Sequence, residues 1–186
     1  MWNERSVVDV LAKRQRNTSA ANAREAGVLV GIIATEDEPR VLLTRRSELL
    51  STHRGQISLP GGRRDATDED LVATALREAE EEVGLSRRSV RVLGLLDELV
   101  TISNYKMTPV LAVLEGPLSL RPNPTEVAEV LLIPLRVFLV ESRARLLPGE
   151  GLRRAVLSYE HDGHVVWGAT ASVLSNLAEV ILSATA

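Results

Sequence analysis

The sequence predicts one α/β domain built on a mixed sheet. Short apolar, partly β-branched runs recur along the chain, and amphipathic helical stretches lie between them. No repeat, low-complexity tract or domain-sized linker divides the pattern. With 186 residues the chain is the size of one ordinary domain and long enough to bury a core.

The elements follow in order. Residues 1–25 are expected to form an N-terminal helix, over 5–15, and a polar linker from Asn17 to Ala23; residues 26–186 are the domain proper. Gly27–Thr35 is a continuous apolar run and reads as a buried strand. Asp37-Glu38-Pro39 is a turn to a partner strand over Val41–Thr44, and Ser47–Arg54 is a polar loop. Gln56–Leu59 is short and extended, and Pro60-Gly61-Gly62 breaks it. A helix then starts with Thr67 as N-cap and Asp70 completing an approximate capping box, with acidic residues in its first turn. Its apolar stripe is Val72, Leu76, Ala79 and Val83, and Gly84 ends it. Val90–Leu96 and Val110–Leu114 are strands joined through the polar segment Thr101–Thr108. Pro117 to Pro124 is a loop, Glu126–Ile133 a strand, and Pro134 opens a short helix. Val156–Tyr159 and Val165–Trp167 make a hairpin turning at Asp162-Gly163, before an amphipathic helix over Ala169–Ser183.

Composition narrows the function. A net charge of −3 gives no reason to expect a nucleic-acid partner. There is no cysteine, hence no disulfide framework, thiolate nucleophile or Cys-type zinc site. The N-terminus lacks a signal-peptide pattern and no apolar run is long enough to span a membrane. The expectation is a cytoplasmic protein with a small-molecule partner, no membrane partner, and a homodimer among the assemblies it allows.

The chemistry is concentrated in Arg77-Glu78-Ala79-Glu80-Glu81-Glu82-Val83-Gly84-Leu85, just after Pro60-Gly61-Gly62. On a helix, Glu78, Glu81 and Glu82 fall on one side. Like charges at i,i+4 cost a helix roughly 0.2–0.5 kcal/mol per pair. Such crowding makes sense around a hard divalent cation, which takes oxygen ligands and bridges carboxylates to substrate phosphates. Arg77 lies about 40° from Glu81 on the helical wheel, close enough for an ion pair.

These residues resemble the signature of the Nudix hydrolases: Gly, five residues, Glu, seven residues, then Arg-Glu, an apolar residue, any residue, Glu-Glu, any residue, Gly and an apolar residue. Arg77, Glu78, Ala79, Glu81, Glu82, Gly84 and Leu85 match its second half, and Glu69 has the right distance to Arg77. The start departs, because Arg63 stands where Gly is expected and Gly62 is one residue early. An upstream stretch is similar to the coenzyme A diphosphatase branch. Leu42-Leu43-Thr44-Arg45-Arg46-Ser47, Gly55 and Leu59-Pro60-Gly61-Gly62 keep its spacing, with Ser51 in place of an Arg and Leu59 in place of Phe.

The resemblance implies a Nudix-type α/β/α sandwich with a mixed central sheet, and Mg²⁺ or Mn²⁺ as cofactor. It implies Glu78 and Glu82 as the main metal ligands, Glu81 as a further one, and a carbonyl of Gly61 or Gly62 completing the set. Arg77 and Glu69 belong to the same catalytic network, although the wheel places Glu69 about 80° from Arg77, so that contact needs a bent first turn. Thr44, Arg46 and Arg54, with Lys106, are the expected phosphate contacts. The general base is Glu81 or a carboxylate from a distal loop such as Glu126.

The implied reaction is hydrolysis of the diphosphate of coenzyme A or an acyl derivative, releasing 4′-phosphopantetheine and adenosine 3′,5′-bisphosphate. Hydrolysis of ADP-ribose or another nucleoside-diphosphate derivative is the alternative within the class. A non-catalytic nucleotide sensor on the same fold is the alternative outside it; the intact set Glu78, Glu81 and Glu82 argues against the sensor.

Overall fold

The computed structural model describes residues 2–35, 37–140, 143–146 and 155–185. Its centre is β1 (Arg24–Ile33), which runs parallel to β7 (Tyr105–Leu114) and is buried on both sides. That double burial explains why its sequence is apolar without alternation. Val28, Val30 and Ile32 face one core with Leu43, Leu111, Phe138 and Leu174, whereas Leu29 faces a second with Leu42, Ala79, Val83 and Val110.

Around this pair lie β2 (Arg40–Arg46), β5 (Val90–Leu95), the short β3 (Ile57–Ser58), β4 (Gly61–Arg63) and β6 (Leu99–Val100), and β8 (Val127–Pro134). All their pairings are antiparallel, so the sheet is mixed. Helix α2 (Leu71–Val83) covers one face. Helices α1 (Glu4–Lys13) and α3 (Gly168–Ser183) cover the other, Val7 of α1 being fully buried among Val30, Leu111 and Leu177. A separate three-stranded sheet holds β9 (Arg143–Leu146), β10 (Ala155–His161) and β11 (His164–Trp167). The architecture is the expected α/β/α sandwich. Among the described residues no helix is long and apolar enough to cross a membrane.

Three local expectations are corrected. The glycine turn is not a break: Gly61–Arg63 pairs with Ala26–Val28 as an added strand. It fits because a Cβ on Gly61 would lie 2.5 Å from the Gly27 carbonyl oxygen. The helix is capped by Asp70, whose carboxylate accepts from the Ala73 N–H at 2.7 Å, so Thr67 lies outside it and its first turn carries no acid. Thr67 instead donates to Asp65 in a turn, a local competitor for the side chain that the helical pattern did not anticipate. The segment Tyr105–Thr108 belongs to β7, where it pairs with Arg24–Gly27. Its polar composition hid a strand whose partner is remote in sequence.

Candidate active site

The site is made where α2 crosses β4. Gly27, on the neighbouring β1, lets α2 come down onto the sheet, since a Cβ there would come within 2.3 Å of the Leu71 carbonyl oxygen. Gly62 performs the same service one strand over: the carboxylate carbon of Glu78 lies 2.5 Å from where its Cβ would be. One turn on, the carboxylate of Glu82 accepts from the Gly61 N–H at 3.3 Å and is 4 % exposed. Gly84, with φ 66°, ends the helix just beyond, accepting the left-handed conformation that stops it.

Burial pushes the Glu82 carboxyl up to about 8, reinforced by the charges of Glu78 and Glu126 and opposed by the Gly61 N–H and by Arg46. Glu78 is raised as well, by burial first, against the pull of Arg77 and with the charges of Glu81 and Glu126 adding to it. Two carboxylates one turn apart, each raised because burial outweighs the nearby arginine, are therefore held together beside the glycine strand.

Arg77 organises the rim. Its Nε and Nη2 bind both oxygens of Asp68, each at 3.1 Å, and Nη2 also donates to the Arg63 carbonyl at 3.0 Å. Nη1 reaches Glu81 at 3.0 Å and Glu78 at 2.8 Å. Glu80 lies on the far side, 3.4 Å from Arg87.

Two loops close the opposite side. Arg46 follows an irregularity in the β2–β8 register and brings its charge to Glu82. Ser47 donates its N–H to the Glu126 carbonyl at 2.8 Å and its hydroxyl to the Pro124 carbonyl at 3.2 Å. The 121–126 loop is tied to the end of α2 by Arg121 N–H to Val83 O at 2.7 Å and Asn123 N–H to Glu82 O at 2.8 Å. The Asn123 amide then donates to the Glu126 carboxylate at 3.3 Å.

Of the sequence candidates, Glu78, Glu82, Gly61, Gly62, Arg46 and Arg77 converge, and Glu126 joins them. Glu81 sits on the rim, 53 % exposed and bound to Arg77. Consequently, among the described residues, no three Asp, Glu or His side chains already form a metal cage. The pair Glu78 and Glu82 still fits a Mg²⁺-like ion, which uses one or two carboxylates and fills its other positions with water and substrate phosphate.

Four candidates stand elsewhere. Thr44 is 1 % exposed and its hydroxyl is spent on the Ser58 carbonyl at 3.3 Å, so it braces β3 instead of facing a ligand. Arg54 donates Nε to the Leu50 carbonyl inside its own loop, because that short return is available before any distant partner. Glu69 precedes the helix cap and is exposed; the partner of Arg77 is Asp68. Lys106 pairs with Glu25 at 3.3 Å. Asp68 is the residue that sequence reasoning missed. Its signal was in the chain, since five residues separate Gly62 from Asp68, as in the signature.

A glycine strand under a carboxylate-rich helix, on an α/β/α sandwich, makes a site whose oxygens suit a hard divalent cation. The chain belongs to the Nudix family: the NUDIX domain matches residues 25–150. It is similar to a protein of Photorhabdus laumondii called uncharacterized Nudix hydrolase NudL, with 41 % identity over 162 residues and 86 % of both chains covered. The NudL of Yersinia pestis strain Pestoides F is 39 % identical over 164 residues, covering 87 % of this chain and 82 % of that one. Among solved structures, the Nudix hydrolase RenU of M. smegmatis superposes with a TM-score of 0.53 at 28 % identity, covering 61 % of this chain and 72 % of that one. A MutT/nudix family protein from Enterococcus faecalis shares the fold, with a TM-score of 0.56 at 16 % identity over 90 % of this chain and 65 % of that one. The chain is thus an enzyme of a family acting on diphosphate-containing substrates.

Proposed function

We propose that Glu78 and Glu82 hold Mg²⁺ or Mn²⁺, and that the chain hydrolyses the diphosphate of coenzyme A or an acyl-coenzyme A in the cytoplasm. The observation that carries the metal reading is the pair of buried carboxylates, both raised because burial outweighs the pull of Arg77 on Glu78 and that of the Gly61 N–H and Arg46 on Glu82. A divalent ion would relieve that crowding; when bound it neutralises the diphosphate and lowers the pKa of attacking water.

The protein's own groups then divide the work. Glu78 and Glu82 supply ligand oxygens, with a carbonyl of Gly61 or Gly62 completing the set. Arg46, beside Glu82, binds a substrate phosphate oxygen, a role suited to its planar fork of donors. Either Glu126 or Glu81 accepts the proton from the attacking water. The place of Glu126 near Glu78 and Glu82 supports the first, and the exposure of Glu81 on the rim supports the second.

Support for coenzyme A comes from the upstream motif Leu42–Ser47, Gly55 and Leu59–Gly62. Its Arg46 lies beside Glu82, and its Ser47 fastens the loop that carries Glu126. The test is turnover of coenzyme A, ADP-ribose and NADH by the purified protein with Mg²⁺ or Mn²⁺, with products separated by chromatography. Preferential release of adenosine 3′,5′-bisphosphate is the expected result. Cleavage of ADP-ribose or NADH alone would retain the metal site and discard the coenzyme A assignment.

A further inference from the structure

We propose that Asp68 is the positioning residue of the metal site, acting through Arg77, in the role that the signature spacing would give to Glu69. The proposal rests on the reading of Glu78 and Glu82 as metal ligands.

A guanidinium has five N–H donors in one plane. Arg77 spends one Nε and one Nη2 hydrogen on Asp68, the second Nη2 hydrogen on the Arg63 carbonyl, and Nη1 on Glu81 and Glu78. The two bonds to Asp68 fix the plane of the guanidinium, and that plane decides where Nη1 meets the two glutamates. Asp68 is itself immobilised: its Oδ2 accepts from the Asp65 N–H at 2.9 Å and from the Thr74 hydroxyl at 2.9 Å. The carboxylate is therefore gripped from both the loop and the helix. Glu69 has none of this. Its carboxylate has no hydrogen bond or ion pair among the described residues, and only its carbonyl is used, by Arg64 at 3.0 Å.

The spacing explains the exchange. The chain has Gly62, five residues, then Asp68, but eight residues follow before Arg77. The additional residue thus lies between the acid and the arginine, at the entrance to α2, and not ahead of the acid. Counting back from Arg77 selects Glu69; counting forward from Gly62 selects Asp68, and the geometry agrees with the forward count.

The experiment is a Mn²⁺ titration of the purified full chain, following free Mn²⁺ by electron paramagnetic resonance, with kcat and KM measured on the same samples. Circular dichroism monitors the fold. Asp68→Asn is expected to weaken Mn²⁺ binding by roughly 10–100-fold, the usual loss when a partner of a ligand is removed, and to lower kcat with KM for the diphosphate substrate nearly unchanged. Asp68→Glu should recover part of the loss because it restores the charge. Thr74→Val, which deletes one grip on Asp68, should weaken binding less, and Glu69→Gln should match wild type.

A folded Asp68→Asn protein with wild-type Mn²⁺ affinity overturns the proposal, as does a Glu69→Gln loss as large as that of Asp68→Asn. Should Asp68→Asn fail to fold, Thr74→Val decides: weakened Mn²⁺ binding supports the proposal and wild-type affinity refutes it. Wild-type protein that binds Mn²⁺ yet cleaves no diphosphate would sink the proposed reaction while leaving the Asp68 comparison valid. Absence of Mn²⁺ binding in wild type would overturn both.

Discussion

Asp68, just ahead of α2, and Glu82, in its last turn, are both buried carboxylates, and their environments push them in opposite directions. Asp68 is held down to about 2, chiefly by its hydrogen bonds from Arg77, which outweigh its burial. Glu82 is pushed up to about 8, because burial outweighs one backbone N–H and the more distant charge of Arg46. On the proposed reading the difference is what each is for: a carboxylate saturated by a guanidinium is a structural brace, whereas one raised by burial in a tight glycine-lined crossing is the one that takes a cation.

The most damaging way to break the comparison is at Glu82. Glu82→Gln keeps the size and removes the charge, so turnover should fall by at least about a hundredfold, more than for a residue acting only behind a ligand. Steady-state kinetics at saturating Mg²⁺ would check it, and full activity there would end the metal-site assignment. The fold should survive, since the substitution removes a buried charge instead of creating one.

Next in size is the brace. Asp68→Asn should cost about 1.5–3 kcal/mol of stability, the range for hydrogen bonds to charged groups, read from urea unfolding midpoints. An unchanged midpoint would mean that Arg77 finds another partner.

The pH dependence of stability sharpens the contrast further. The folded protein binds the Glu82 proton more tightly than the unfolded chain, whose value is 4.5. The metal-free protein should therefore lose stability as pH rises between about 4.5 and 8, and Mg²⁺ should flatten that slope. Asp68 has the reverse sign: its contribution is full above 3.8 and disappears as pH falls through about 2. Unfolding midpoints of wild type, Glu82→Gln and Asp68→Asn across pH separate the two, since each variant should lose only its own slope.

The smaller effects are at the substrate loop and outside the site. Ser51→Arg should lower KM for coenzyme A if a phosphate contact is missing there, and an identical KM would show the position to be irrelevant. Glu69→Gln should shift stability by no more than about 0.5 kcal/mol, as expected of an exposed carboxylate without partners among the described residues.

Much of this molecule was legible in its residues. The apolar run of β1, the α2 stripe ending at Gly84 and the Asp162-Gly163 hairpin are local patterns, and each formed close to where it was expected. The carboxylate set was equally legible, because Glu78 and Glu82 depend only on helical periodicity and an adjacent glycine pair. Strand β4 was not: nothing local says that Gly61–Arg63 will slide beneath a helix and pair with residues 26–28. Nor was the start of β7, whose polar residues become a strand only through pairing with Arg24–Gly27.

By itself, the sequence determined the fold class, the family and the acidic face of one helix, all of which rest on periodicity and spacing within short stretches. The tertiary structure decided which of two adjacent acids holds Arg77, that Thr44 is walled in by Ser58, and that Glu126 reaches Glu78 and Glu82 from another loop. Those outcomes depend on where backbones separated by tens of residues come to rest. A shift of one position in a loop, invisible to periodicity, changes which side chain arrives.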